Sequence, residues 1–127
     1  MKYADLISKY AAAVNAASWD DCAELFQHGA SVELDLGDRG RRELRGGREL
    51  AEFVKVAVAR FATFEMVILE VVELDDECGL MYLMEVRTDS AGHQTRAIGR
   101  YRDRYSVNAD GSLTFVQRRY RSLTVID

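Results

Sequence analysis

The sequence predicts an α+β fold, with three helices packed on one curved, largely antiparallel mixed sheet in the order ααββαββββ. Three observations carry this reading. Helical spacing of apolar residues is confined to the first half, and the second half alternates in long runs broken by short turns. No proline, repeat or linker interrupts the 127 residues, so one domain spanning 1–127 is expected, long enough to bury a real core.

Tyr3, Leu6, Ile7, Tyr10 and Val14 recur at helical spacing and predict a helix over 3–16. Ser18 is a fitting N-cap for a second helix, with Asp20 and Asp21 in its first turn and Trp19, Cys22, Leu25 and Phe26 on its apolar side. Gly29 is expected to end it. Val32, Leu34 and Leu36 then alternate as a strand, and the turn GDRG leads into a short strand at 41–45. GGREL opens a third helix whose face holds Leu50, Phe53, Val54, Ala57, Val58 and Phe61. Long strands follow at 64–74, 80–88, 94–107 and 112–125, separated by DDECG, DSAGH and NADG.

Composition excludes several function classes. No apolar run approaches the roughly 20 residues of a membrane span, and MKYADLISKY lacks the apolar stretch of a signal peptide, so a cytoplasmic location is expected. Cys22 and Cys78 form no CxxC pair and read as free thiols. His28 and His93 have no second ligand at i+3 or i+4, so no metal site is expected. Residues 1–85 carry a charge balance of −8 and residues 86–127 one of +4. With a net charge of −4 overall, pairing between the halves explains the basic strip better than nucleic-acid binding does.

The stretch GRYRDRY, residues 99–105, raises the sharpest question. Period-2 alternation puts Tyr101, Asp103 and Tyr105 on one face and Arg96, Ile98, Arg100, Arg102 and Arg104 on the other. Four arginines cannot line an apolar interior cheaply, so Asp103 points inward with its tyrosines. A four-residue Asp89–Gly92 turn would pair Glu85 with Arg96 and leave Tyr82, Met84 and Val86 inside. A five-residue loop would send Glu85 and Arg87 inward instead. A two-residue Ala109–Asp110 turn would set Tyr101 opposite Arg118, diagonal to Asp103. Asp103 then has three readings: an acid beside Tyr10 and Tyr101 in a dry pocket, an ion pair with Arg118, or an outward-facing surface group.

The phrases YAAAVNAASWDDCAELF, ASVEL, LRGGRELAEFV and GRYRDRYSVNADGSLTFVQRRY, in this order and spacing, resemble the nuclear transport factor 2-like superfamily, in its SnoaL-like branch. The resemblance implies a cone whose sheet curls around an apolar pocket closed by helices. Ketosteroid isomerase, a member, holds a developing enolate oxygen with a first-helix tyrosine and a strand aspartic acid; Tyr10 and Asp103 stand at the matching positions. Its proton-shuttling aspartate corresponds to Leu34, after Val32-Glu33, with Asp35 one residue along on the opposite face. Limonene epoxide hydrolase carries Arg-x-Asp on a central strand and a late Arg-Asp-Tyr. This chain has Glu85-Val86-Arg87 and Arg118-Arg119-Tyr120, so the second acid is lost. Scytalone dehydratase-like members place histidines around the pocket, and ATFEM at 62–66 has none.

The resemblance implies a cofactor-free isomerase, cyclase or dehydratase acting on a small, mostly apolar molecule, steroid- or terpenoid-like. Asp103 is the expected general acid or oxyanion donor, with Tyr10, Tyr101 and Arg118 assisting. The expected substrate walls are Trp19, Leu34, Phe53, Phe61, Phe64, Met84, Tyr105 and Tyr120. The alternative is a binding or protein-association domain that keeps the cavity and has lost the chemistry. A homodimer through the outer sheet face is also implied, as members of the superfamily often pair there.

Overall fold

The structure, a computed structural model, describes residues 1–127. Its elements are α1 (Tyr3–Asn15), α2 (Trp19–Glu24), β1 (Phe26–Asp35), a 3-10 turn (Gly37–Arg39), β2 (Arg41–Arg45), α3 (Gly46–Val58), β3 (Thr63–Glu73), β4 (Cys78–Thr88), β5 (Gln94–Val107) and β6 (Leu113–Ile126). The expected order holds. One boundary differs: α2 ends at Glu24, and the run through Gly29 is already strand. Phe26, expected on the helix, starts β1 and places its ring 5.0 Å from that of Phe115.

The six strands form one sheet in the order β2-β1-β6-β5-β4-β3. All neighbours are antiparallel except β1 and β6, which run parallel, so the sheet is mixed and open-edged. Register shifts in the β1–β6, β3–β4 and β5–β6 pairs insert extra residues, which bend and twist the strands concerned.

The two ends of the inner face are filled differently. Helix α1 drives Tyr3, Leu6, Ile7, Tyr10 and Val14 against the sheet, each buried, and with Cys22, Phe26, Met81, Leu83 and Phe115 they make a continuous core. Helix α3 buries only Gly47, Leu50 and Ala51; its Phe53 and Val54 are half-buried. The sheet is therefore plugged under α1 and hollow under α3. No helix is long and apolar enough to cross a membrane. Cys22 and Cys78 are both free, and burial pushes the Cys22 thiol up to about 11.

Candidate functional site

Strand register decides which residues see the hollow. Thr88 pairs with Gln94, so the β4–β5 connection is a five-residue loop, and Glu85 lies opposite Ala97 rather than Arg96. Asp89 builds that loop, its Oδ1 accepting the N–H groups of Ala91 and His93, both at 2.9 Å. The shift of one residue reverses the face of every β4 side chain relative to the four-residue turn. Met84, expected in the pocket wall, pairs with Ile98 on the outer face, together with Tyr82 and Val86. Glu85 and Arg87 point inward.

The hollow under α3 is a cavity of about 570 Å³ lined by 20 residues, 13 of them hydrophobic. Leu34, Phe53, Phe61, Phe64, Tyr101 and Tyr120 line it. Leu44, Leu50, Val54 and Ala57 complete its apolar walls. Trp19 packs against the core instead, and Tyr105 stacks on Tyr3 with centroids 5.0 Å apart. Neither borders the cavity.

One ion pair stands in this apolar space. Arg87 donates through Nε and Nη2 to the same Glu85 oxygen, Oε1, at 3.2 and 2.6 Å. The Arg87 side chain retains 12% of its accessible surface and that of Glu85 20%. The guanidinium also lies 5.3 Å from the Phe61 ring centroid. Glu85 Oε2 accepts no hydrogen bond from the protein, so one carboxylate oxygen is held and the other is free. Tyr120 reaches the same region by leaning across Gly99 of β5, where a Cβ would collide with its ring and hydroxyl. Burial pushes the Tyr120 phenol up, Glu85 adds to this, and Arg87 and Arg39 oppose it; the hydroxyl keeps its proton. Three further arginines, Arg39, Arg42 and Arg60, line the cavity with Glu49 and Glu52.

Asp103 points inward but not into this cavity. It lies directly opposite Arg118, two residues from the expected Tyr101–Arg118 pairing. The β5–β6 connection is the five residues 108–112 rather than a two-residue turn, and a register shift at Arg104/Tyr105 adds one more residue. Arg118 donates to it through Nε at 2.7 Å and Nη2 at 3.1 Å, and the Tyr3 hydroxyl donates at 2.6 Å. Both side chains are fully buried. Three rings surround the guanidinium, with the centroids of Tyr10, Tyr101 and Phe115 at 4.3, 3.6 and 4.0 Å. Burial works against the Arg118 charge, yet Asp103 and the tyrosine hydroxyls outweigh it and hold the group above its ordinary range. Of the four residues expected to do chemistry, only Tyr101 borders the cavity. Its hydroxyl is 3.5 Å from that of the buried Tyr10. Asp103, Tyr10 and Arg118 sit in the plugged half, and the ion-pair reading of Asp103 is the one the geometry supports.

The chain matches the SnoaL-like domain over residues 3–119. No curated protein matches it. Among solved structures it is similar to a scytalone dehydratase-like protein of Novosphingobium aromaticivorans, with TM-score 0.76 and 12% identity over 98% of this chain and 83% of that one. LinA gives 0.77 and 14% over 97% and 84%, and the Kfla4162 protein of Kribbella flavida 0.78 and 11% over 98% and 90%. At these identities the likeness is one of fold, the nuclear transport factor 2-like cone.

Two expected outcomes follow for the buried network. Asp103→Leu or Arg118→Met alone strands a buried charge and should cost about 3–5 kcal/mol in chemical denaturation. The double variant should cost less than either, and a larger loss would show that the pair stabilises beyond its own desolvation. Burial, the leading cause, also raises the phenols of Tyr3, Tyr10, Tyr101 and Tyr120. The folded chain thus binds these protons more tightly than the unfolded chain, whose tyrosines titrate near about 10. Their stabilisation is complete below that value and is lost as pH rises above it, so their phenolate absorbance should appear only together with loss of the folded circular-dichroism signal.

Proposed function

The chain belongs to the SnoaL-like domain family, and we propose that it is a cofactor-free enzyme that moves a proton on a small, mostly apolar molecule held under α3. Proton transfer from carbon is a step that isomerisation, cyclisation and dehydration share. Glu85 is the proton acceptor and Tyr120 the donor to the oxygen that gains charge. The observation that carries the proposal is the asymmetric Glu85 carboxylate. Oε1 is fixed by Arg87, and Oε2 is left without a protein partner in an apolar cavity. Fixing one oxygen orients the other, and the mostly apolar walls limit the water that would weaken a base.

A second reading rests on the same pair: if Arg87 spends the basicity of Glu85, the cavity binds without reacting. A generic base-catalysed ring opening, that of 5-nitrobenzisoxazole, separates the two, because it needs only a positioned base in an apolar site. The wild-type protein should accelerate it, and Glu85→Gln should remove about 100-fold or more of that acceleration while leaving affinity for the compound unchanged. Equal rates in the two proteins would leave the binding module standing.

The partner proposed is a second copy of the chain. The outer sheet face carries Val67, Val72, Leu80, Tyr82, Met84 and Ile98, all only half-buried and covered by no helix. Glu65 and Glu70 flank this strip on β3, and Arg96, Arg100, Arg102 and Arg104 on β5. A two-fold axis along β4 lays the glutamates of one copy over the arginines of the other, so the face is complementary to itself. Light scattering should give twice the chain mass, and Met84→Glu should return the monomer. A wild-type monomer at tens of micromolar would remove the dimer.

A further inference from the structure

The cavity's charges outside the Glu85–Arg87 pair indicate what its ligand carries. Arg39 from the 3-10 turn, Arg42 from β2 and Arg60 after α3 all line the cavity. None has a carboxylate within ion-pairing distance, although the chain carries 21 acidic residues. The opposing acids, Glu49 and Glu52, both stand on α3. Glu49 already accepts the Arg45 backbone N–H at 3.2 Å.

Arg39 and Arg42 stand exposed at the mouth of the cavity. The Arg42 guanidinium lies 5.3 Å from the centroid of Phe53, a cavity-wall ring, within cation–π reach. Arg39 borders the same cavity from the 3-10 turn, beside Leu36. From the 3-10 turn and β2, two exposed guanidiniums thus border the mouth of an aromatic-walled cavity without an ion-pair partner. Planar guanidiniums beside aromatic rings suit a carboxylate joined to a flat ring.

We infer that the cavity takes a small cyclic carboxylate, its acid group between Arg39 and Arg42 and its ring against Phe53, Phe61 and Phe64. This names the substrate class of the site proposed above and rests on that cavity being the working one. The acid group stays at the arginine side, away from the like charge of Glu85, and the ring is presented to the free Oε2. A cationic ligand would leave both arginines facing a like charge.

Three probes of one shape test it by calorimetry: 1-naphthoate, 1-naphthamide and 1-naphthylmethylammonium. The acid should bind about tenfold or more tighter than the amide, the advantage shrinking as salt rises, and the ammonium should bind weakest. Arg39→Gln with Arg42→Gln should cancel the preference for the acid while amide affinity is kept, which also reports that the variant is folded. An amide bound as tightly as the acid, or an ammonium bound tightest, would overturn the carboxylate and leave the cavity reading intact. Binding of none of the three would overturn both. Loss of benzisoxazole opening in Glu85→Gln reports on the base alone.

Discussion

The β4–β5 register is the constraint from which the functional account descends. Strand side chains alternate faces, so one residue in a connecting loop decides whether Glu85 and Arg87 are surface groups or the charged centre of a cavity. The five-residue loop is held by Asp89, which caps two N–H groups, and by Gly92 at φ +85°, a backbone region that glycine enters without strain. Once that parity is set, the apolar residues Tyr82, Met84 and Val86 have only the outer face to occupy. An uncovered apolar sheet face and a charged pair indoors are two consequences of one loop.

The second organising feature is the unequal filling of the inner face. Helix α1 brings large side chains to the sheet, and between them lies the Asp103–Arg118–Tyr3 network, desolvated on every side. A buried ion pair adds little net stabilisation, but a β5–β6 register that separated Asp103 from Arg118 would leave two charges unpaired in the core. That pairing sets Tyr101 opposite Tyr120 and lets Tyr120 lean over Gly99 into the hollow. Structural charge at one end and accessible charge at the other divide the work between two halves of one sheet.

Much of this was legible in the sequence. Apolar periodicity located α1, α3 and the four long strands, and the arginine row of β5 faces outward because four guanidiniums cannot be buried unpaired. Asp103 faces inward for the same reason. What escaped was the neighbourhood it faces: alternation gives a direction, and only packing tells whether that direction ends in a cavity or against Tyr3 and Arg118. The β5–β6 bulge between Arg104 and Tyr105 also left no mark in the sequence, and together with the longer 108–112 loop it places Arg118 directly opposite Asp103. Glu85 and Arg87 were reachable through the loop DSAGH, where an aspartate at the start and a glycine in fourth place signal the longer connection. Arg39 and Arg42 carried no signal of their own among many exposed arginines.

The central claim is that the acid in contact with a ligand is Glu85 and not Asp103. Carboxyl-carbon NMR, with both side chains assigned, tests it most directly when indole is titrated as a neutral occupant of the cavity. The Glu85 resonance should move with saturation of the site while that of Asp103 stays in place. A moving Asp103 beside a stationary Glu85 would contradict the account and return the chemistry to the core under α1.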